Sequence, residues 1–386
     1  MKWERVELGN LTKITSGGTP SRKKPEYYSN GDIPWVKTGD LKRREIFESS
    51  EFITELGLKS SSAKLFPKNT VLVALYGATI GACSILRISA STNQACAAIL
   101  PSEKLDENYL FYFLSYFKPQ LIEAGVGGAQ PNISGKIIKE TQIPLPPLSE
   151  QRRLAARLDK ADAVRQKSRA LVDVYAELGR SVFLEVFGDP VRNERGWEVV
   201  ELEEISKKIT DGTHQSPTFL SEGIPFLFVS NVKNNSISFQ TSKYISIEEH
   251  EDLYKRTPIE IGDILVTTVG SYGNVAAVAS NEKFMFQRHV GYVKPDHSIV
   301  KYEFLVSALQ SDFVQNQMHR VVKGVAQKTL NLKELKKLQI PLPPLPLQTR
   351  FAAMVANIEG QRRLAERQLE AAEAMFGGVL QGTFEG

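Results

Sequence analysis

"QIPLPPL" occupies residues 142–148, and the same seven letters return at 339–345, 197 positions later. Proline has no N–H, holds φ near −65° and pushes the residue before it out of the α region. The stretch therefore reads as a stiff, extended connector that sets the exit from one structural part and isolates the start of the next. A generic Pro-rich linker or an SH3-type ligand would have the same composition, but neither calls for recurrence at a fixed offset. Matching neighbours extend the recurrence. Upstream, "GGAQPNI" (127–133) faces "GVAQKTL" (324–330); downstream, Gln151, Arg153 and Ala155–Ala156 face Gln348, Arg350 and Ala352–Ala353. Farther out, "WERVEL" (3–8) resembles "WEVVEL" (197–202), and Gly18–Thr19 resemble Gly212–Thr213. "GDIPWVKTGDLK" (31–42) resembles "EGIPFLFVSNVK" (222–233), and "VLVALYGATIG" (71–81) resembles "ILVTTVGSYG" (264–273). So many anchors in one order mean that the chain is two copies of one unit.

Each unit divides at its connector. The part before it, about 1–141 and 195–338, carries strand signals: "TVLVALY", "DILVTTV" and "HVGYV", punctuated by Gly, Asn, Asp and Pro. Late in each copy a helix is expected, over 107–117 and over 302–318. After the connector comes a long helix, with Ser149 as the expected N-cap of the first. Leu154, Leu158, Ala161, Arg165, Ser168, Val172 and Tyr175 follow a 4,3,4,3 spacing. Phe351, Val355, Ile358, Arg362, Ala365, Leu369, Ala372, Phe376 and Val379 do the same in the second copy. Such a seam suits a coiled-coil pair; a lone amphipathic helix on a domain surface is the alternative, since Arg165, Ser168 and Arg362 interrupt the apolar pattern.

The totals narrow the class. At 386 residues the chain has room for two or three domains. Hydrophobic content of 42% and charged content of 24% describe an ordinary globular protein. "MKWERVELGN" is not a signal peptide, and no window reaches the roughly 20 apolar residues of a membrane span. Two cysteines, Cys83 and Cys96, lack metal-ligand spacing, and a cytoplasmic location is expected. A net charge of +4 is compatible with nucleic acid.

A globular module, a QIPLPPL connector and a long helix, written twice, resemble the specificity subunit of type I restriction–modification systems. The likeness rests on the connectors followed by "SEQRRLAARL" and "PLQTRFAAMV", on the opening "WERVELGNLTKITSGGTPSRKKPEYYSNGDIPWVKTGDL", and on "VLVALYGATIGACSIL" with the later "TNQACAAI". It implies an α+β protein with an internal pseudo-twofold repeat: two similar mixed α/β target recognition domains joined by two long antiparallel coiled-coil helices. The expected divisions are recognition domains at 1–148 and 189–345, a central spacer helix at 149–188 and a C-terminal spacer helix at 346–386. The resemblance further implies a chain without chemistry of its own that reads a bipartite site on double-stranded DNA. It would dock two methyltransferase (modification) subunits and, beyond them, restriction subunits. S-adenosylmethionine, ATP and Mg would sit on those partners and no cofactor on this chain. "GGVLQGTFEG" stands in the second helix where the first has "RSVFLEVFGD", so fraying of the final turns is expected.

The motifs agree with recognition rather than catalysis. No Asn/Asp-Pro-Pro-aromatic motif is present to hold a flipped adenine, and the Pro-Pro pairs follow Leu-Pro. Neither G-x-G-x-x-G nor a Walker A pattern occurs. Asp32 with "DLK" (40–42) looks like a nuclease fragment, but the second copy reads "NVK" (231–233), replacing Asp40 with Asn231. The five histidines, His214, His250, His289, His297 and His319, form no HExxH or paired Cys motif. Two other readings stay in view: the recognition part of a fused restriction/methylation enzyme with its own activity, and a scaffold that binds protein through its helices alone.

If DNA is the partner, polar side chains at glycine-flanked loop tips are the expected contacts. In the first copy these are Thr19, Ser21, Arg22, Lys23, Lys24, Lys37, Thr38, Lys42, Tyr76, Thr79, Asn93, Gln94 and Gln130. Arg22, Lys23 and Lys24 suit phosphate; Thr38, Tyr76 and Gln94 suit base edges. In the second they are Thr213, His214, Gln215, Ser230, Asn231, Lys233, Ser271, Tyr272, Gln287, Arg288, His289 and Lys328. The copies differ at these tips ("RKK" against "HQS", "TNQ" against "FQR"), so the halves are expected to read different sequences.

Overall fold

A computed structural model describes residues 3–125, 132–233, 235–324 and 328–385. The chain divides into two compact units: one runs to Arg169 and resumes at Glu366, and the other spans Ala170–Ala365. Both long helices cross this division, so each unit contains half of each.

In the first unit the run "VLVA" (Val71–Ala74) is the spine of a five-stranded sheet, ordered Ile14–Ser16, Cys96–Ile99, Val71–Ala74, Cys83–Leu86, Glu45–Ile46. Successive side chains of a strand point to opposite faces, and both faces are covered here. Val71 and Val73 join Ile85, Ala97 and Ile99 in a core against the Glu107–Glu123 helix and the long helices. Leu72 and Ala74 join Leu86, Cys96 and Ala98 in a core shared with Val36, Phe66 and Ala90 of a second sheet. That sheet is ordered Phe52–Ile53, Ile33–Val36, Ala90–Thr92, Leu65–Phe66, with Ile33–Val36 parallel to Ala90–Thr92. Burial on both faces explains why "VLVALY" is continuously apolar rather than alternating.

The second unit repeats this design. Its spine Ile264–Thr267 lies between Val290–Pro295 and Val275–Ala277, with Ser206–Asp211 outermost. Ile264 and Val266 face one core, Leu265 the other. Ile224–Leu227 pairs antiparallel with Tyr244–Ile245 and parallel with Met285–Phe286, as Ile33–Val36 does with its own neighbours. One expectation fails. The helix read over 302–318 is two, Tyr302–Gln310 and Asp312–Val321. Ser311 between them is extended (φ −63°, ψ 149°), and its hydroxyl accepts the Val314 N–H as an N-cap.

The Pro-rich stretches are strands. Gln142–Pro144 pairs antiparallel with Arg5–Glu7, and Gln339–Leu342 with Glu198–Glu201, tying the end of each module to its beginning. Two-stranded ribbons leave an edge where proline's missing N–H does no harm. The long helices begin at Leu148 and Leu345. Ser149 is therefore not the N-cap: the Pro147 carbonyl already accepts from the Glu150 and Gln151 N–H groups, and Pro344 does the same for Leu347 and Gln348. Gln151, fully buried, then clasps the module: it accepts the Asp106 N–H (2.9 Å) and donates to the Lys104 and Pro146 carbonyls. Gln348 repeats the clasp on Lys301, Ile299 and Pro343.

The two long helices, Leu148–Phe187 and Leu345–Phe384, pack on one another within each unit. In the first, the opening half of one meets the closing half of the other: Arg169 pairs with Glu373, and the Arg165 guanidinium lies 4.3 Å from the Phe376 ring centre. In the second, Phe183 meets Phe351 with ring centres 5.8 Å apart. The pairing is antiparallel, every seam position is buried or half-buried, and the lone-helix alternative falls. Arg165 fits the seam because Asp162 pairs with it while Phe376 takes its flat face. The glycine-rich end does not fray. Phe384 is 1% exposed among Tyr109, Phe113 and Tyr116, and Arg5 donates to its carbonyl (3.0 Å). Among the described residues no helix is long and apolar enough to cross a membrane.

Candidate nucleic-acid interface

Each spine strand ends in a loop framed by two glycines in the left-handed region: Gly77 and Gly81 (φ 65° and 73°), and Gly270 and Gly273 (φ 73° and 81°). The base of each loop is pinned in the same way. Gly81 N–H donates to the Ala74 carbonyl and Gly273 N–H to that of Thr267. Tyr76 bridges to Asn132, and Val269 to Thr329. The first loop presents Tyr76, 46% exposed, with the Thr79 hydroxyl turned onto the Tyr76 carbonyl. The second presents Ser271 and Tyr272. Thr267 and Asn274 donate to the Ser271 carbonyl, Gln315 to that of Gly273, and the Tyr272 hydroxyl meets His319 Nδ1 at 2.7 Å.

A second cluster forms where the strand after each module opening passes the parallel strand of the other sheet. A Cβ on Gly17 would fall 2.1 Å from the Thr92 carbonyl oxygen, and one on Gly212 2.2 Å from that of Phe286, so close approach demands glycine at both. This approach brings Thr19 onto Gln94 in the first unit. In the second it brings Thr213 beside Gln287, with the Arg288 N–H on the Thr213 carbonyl. His214 pairs with Asp211, which also holds Arg256. His289 is pushed below the usual imidazole range by burial, then by the charges of Arg288 and His214. Asn93 is half-buried with Oδ1 lacking a partner.

The basic residues divide. Arg22 and Lys37 both hold Glu51, and Arg22 also lies over the Tyr28 and Trp35 rings, at 4.4 and 5.0 Å. Lys37, then Arg22, keeps the Glu51 carboxyl below its ordinary range. Lys24 donates to the Tyr27 hydroxyl (3.0 Å). Lys23, Ser21, Lys42, Lys233, Lys328, Gln215 and Ser230 are exposed, and Thr38 is half-buried on the turn Thr38–Asp40. Gln130 lies outside the described residues. Asn231 does not join the surface. It is 6% exposed, its Oδ1 accepts the Phe228 N–H, and its amide donates to the Ser238 and Gln240 carbonyls. Asp40 caps the Lys37 N–H in the same way. The Asp-to-Asn exchange between copies is thereby explained, because a carboxylate oxygen and an amide oxygen can both accept that hydrogen bond. Glu51 and His319, which hold neighbouring candidates in place, escaped the sequence reading; each lies far along the chain from its partner, and no local pattern marks it.

Two pseudo-equivalent modules with matching glycine-framed loops and different tips agree with the comparisons. The family described as "Type I restriction modification DNA specificity domain" matches residues 1–171 and again 194–374. The chain belongs to this family. Among its relatives, the type I restriction enzyme MjaIX specificity subunit of Methanocaldococcus jannaschii is 25% identical, over 92% of this chain and 86% of that one. The specificity subunit from M. genitalium, at 16% identity, superposes with a TM-score of 0.59 over 99% of this chain and 96% of that one. A chain from a study of "complex assembly and conformational transition of the type I R-M system" gives 0.55 at 19% identity, covering 98% and 97%. At these identities the superpositions establish the fold, which is that of the specificity subunit. As the DNA specificity subunit of a type I system, the protein supplies recognition and is itself non-catalytic.

Proposed function

We propose that each module of this specificity subunit reads one half of a bipartite, asymmetric site on double-stranded DNA. One observation carries the reading: the two modules hold the same two loop clusters on the same framework, yet place different side chains there. Thr19, Gln94, Tyr76 and Thr79 stand in one; Thr213, Gln287, Arg288, Ser271 and Tyr272 in the other. A shared framework with changed tips is what two readers of different sequences require, since base edges are discriminated by donor and acceptor pattern. Lys23, Lys42, Lys233 and Lys328 are exposed, and in this reading they meet phosphate. The long helices dock two modification subunits, with restriction subunits beyond them. S-adenosylmethionine, ATP and Mg belong to those partners, and the complex works in the cytoplasm. Sequencing the methylome of cells with and without this chain tests the proposal. Two unlike short blocks separated by unread bases are expected, and a perfect palindrome would refute it.

A further inference from the structure

We propose that a groove in the second unit is the seat for a partner-protein segment that inserts an aromatic ring beside an arginine. The groove, about 860 Å³, lies between the closing half of the first long helix, the Tyr302–Gln310 helix and the opening half of the second long helix. Because the units are copies, each wall has a counterpart in the first unit. Two anchors set the correspondence. Gln151 and Gln348 accept the N–H of Asp106 and Lys301, and Phe384 packs on Tyr109 as Phe187 packs on Phe304, at 5.2 and 4.9 Å.

In the first unit the chain fills this place itself. The Phe376 ring lies 6.2 Å from that of Tyr112 and beneath Arg165. Arg44 donates to the Tyr112 hydroxyl, to Asp159 and to Asn108 Oδ1, and Arg87 also donates to Asn108 Oδ1 (3.3 Å). In the second unit Gly179 replaces Phe376 and Ser307 replaces Tyr112, while Asn235 and Ala279 replace Arg44 and Arg87; all four line the groove. Two rings and two guanidinium groups are gone. Asn108, the acceptor that served both cations, has become Glu303, whose Oε2 is buried without a hydrogen-bond partner. That oxygen is open to a donor, although Arg180, Arg362 and Arg363 also line the groove and the Tyr302 hydroxyl neighbours the same carboxyl. Gly179 leaves open the place that the Phe376 ring takes in the first unit.

Filling the first unit's counterpart took protein side chains, and the groove adjoins the helices proposed to dock partner subunits. The assignment therefore rests on that reading. The test uses the full chain with Gly179→Phe, which refills the groove, and with Glu303→Gln, which removes its charge. Each is titrated with purified modification subunit and weighed by native mass spectrometry beside the unchanged chain. Both variants should keep their helix content and melting temperature. Gly179→Phe should weaken association about tenfold or more and reduce two bound subunits to one, because in the first unit the Phe376 ring already takes the corresponding place; Glu303→Gln should weaken it in the same direction. If the unchanged chain fails to bind the subunit, the docking reading falls. If it binds and both variants bind equally well, the groove assignment alone is overturned. Phenylalanyl-arginine amide serves as competitor: displacement of one subunit supports the seat, and saturable binding without displacement assigns the groove to a small ligand and overturns it.

Discussion

Gln151 shows how one buried amide holds a module to its helix. Its side chain serves three backbone groups at once, the Asp106 N–H and the Lys104 and Pro146 carbonyls. Gln151→Ala leaves them unpaired, and a loss of about 3 kcal/mol is expected in urea unfolding. Glu51 works at the surface. Arg22 and Lys37 hold its carboxyl below the ordinary range, so the stabilisation is present above the unfolded-state pKa and disappears as pH falls through the lowered one. Glu51→Gln should cost little at neutral pH, because partly exposed pairs contribute little, and the difference from the parent should vanish in acid. The same variant releases two cations. In the assembled complex, the slope of log affinity against log salt should steepen by up to about 2, as expected for two added phosphate contacts. Cys96 is fully buried, its thiol pushed up to about 12 by burial, and alkylation at pH 8 should proceed at the unfolding rate.

At the scale of elements, the 3–4 seam was legible because helical periodicity is local. The end of the second helix was not. Gly377, Gly378 and Gly382 argue for fraying by propensity, and the burial of Phe384 against Tyr109, Phe113 and Tyr116 overrides them. Phe384→Ala should therefore destabilise the first unit by about 3–5 kcal/mol, measured by chemical denaturation. The same helices carry the proposed spacing of the DNA site. Removing 166–172 together with 363–369 takes one heptad from each, or about 10 Å, which corresponds to about three base pairs. Methylome sequencing should show a shorter spacer between unchanged blocks, and an unchanged spacer would remove the helices from that role.

For the whole molecule, the consequential fact is that each unit's core borrows from a distant part of the chain. Phe376 and Phe384 belong to the first unit's core, while Val182, Phe183 and Phe187 belong to the second's. Truncation after Ala365 should thus expose the first unit's core although all of its sheets remain. Hydrogen exchange is expected to lose protection across Val71–Ala74 and Cys96–Ile99 while Ile264–Thr267 stays protected; equal protection in both spines would contradict the borrowed core.

The repeat, the strand and helix classes, the seam and the loops with changed tips were all determined by sequence alone, because each is written in local spacing or in the likeness of one half to the other. The tertiary structure decided the rest. Whether an asparagine such as Asn231 faces DNA or caps a turn depends on which backbone groups arrive beside it from elsewhere. The pairing of Gln142–Pro144 with Arg5–Glu7, the anchoring of Phe384 and the groove at Glu303 all join residues far apart in the chain. Burial and hydrogen-bond satisfaction are properties of such distant pairs, and no window of sequence contains both partners.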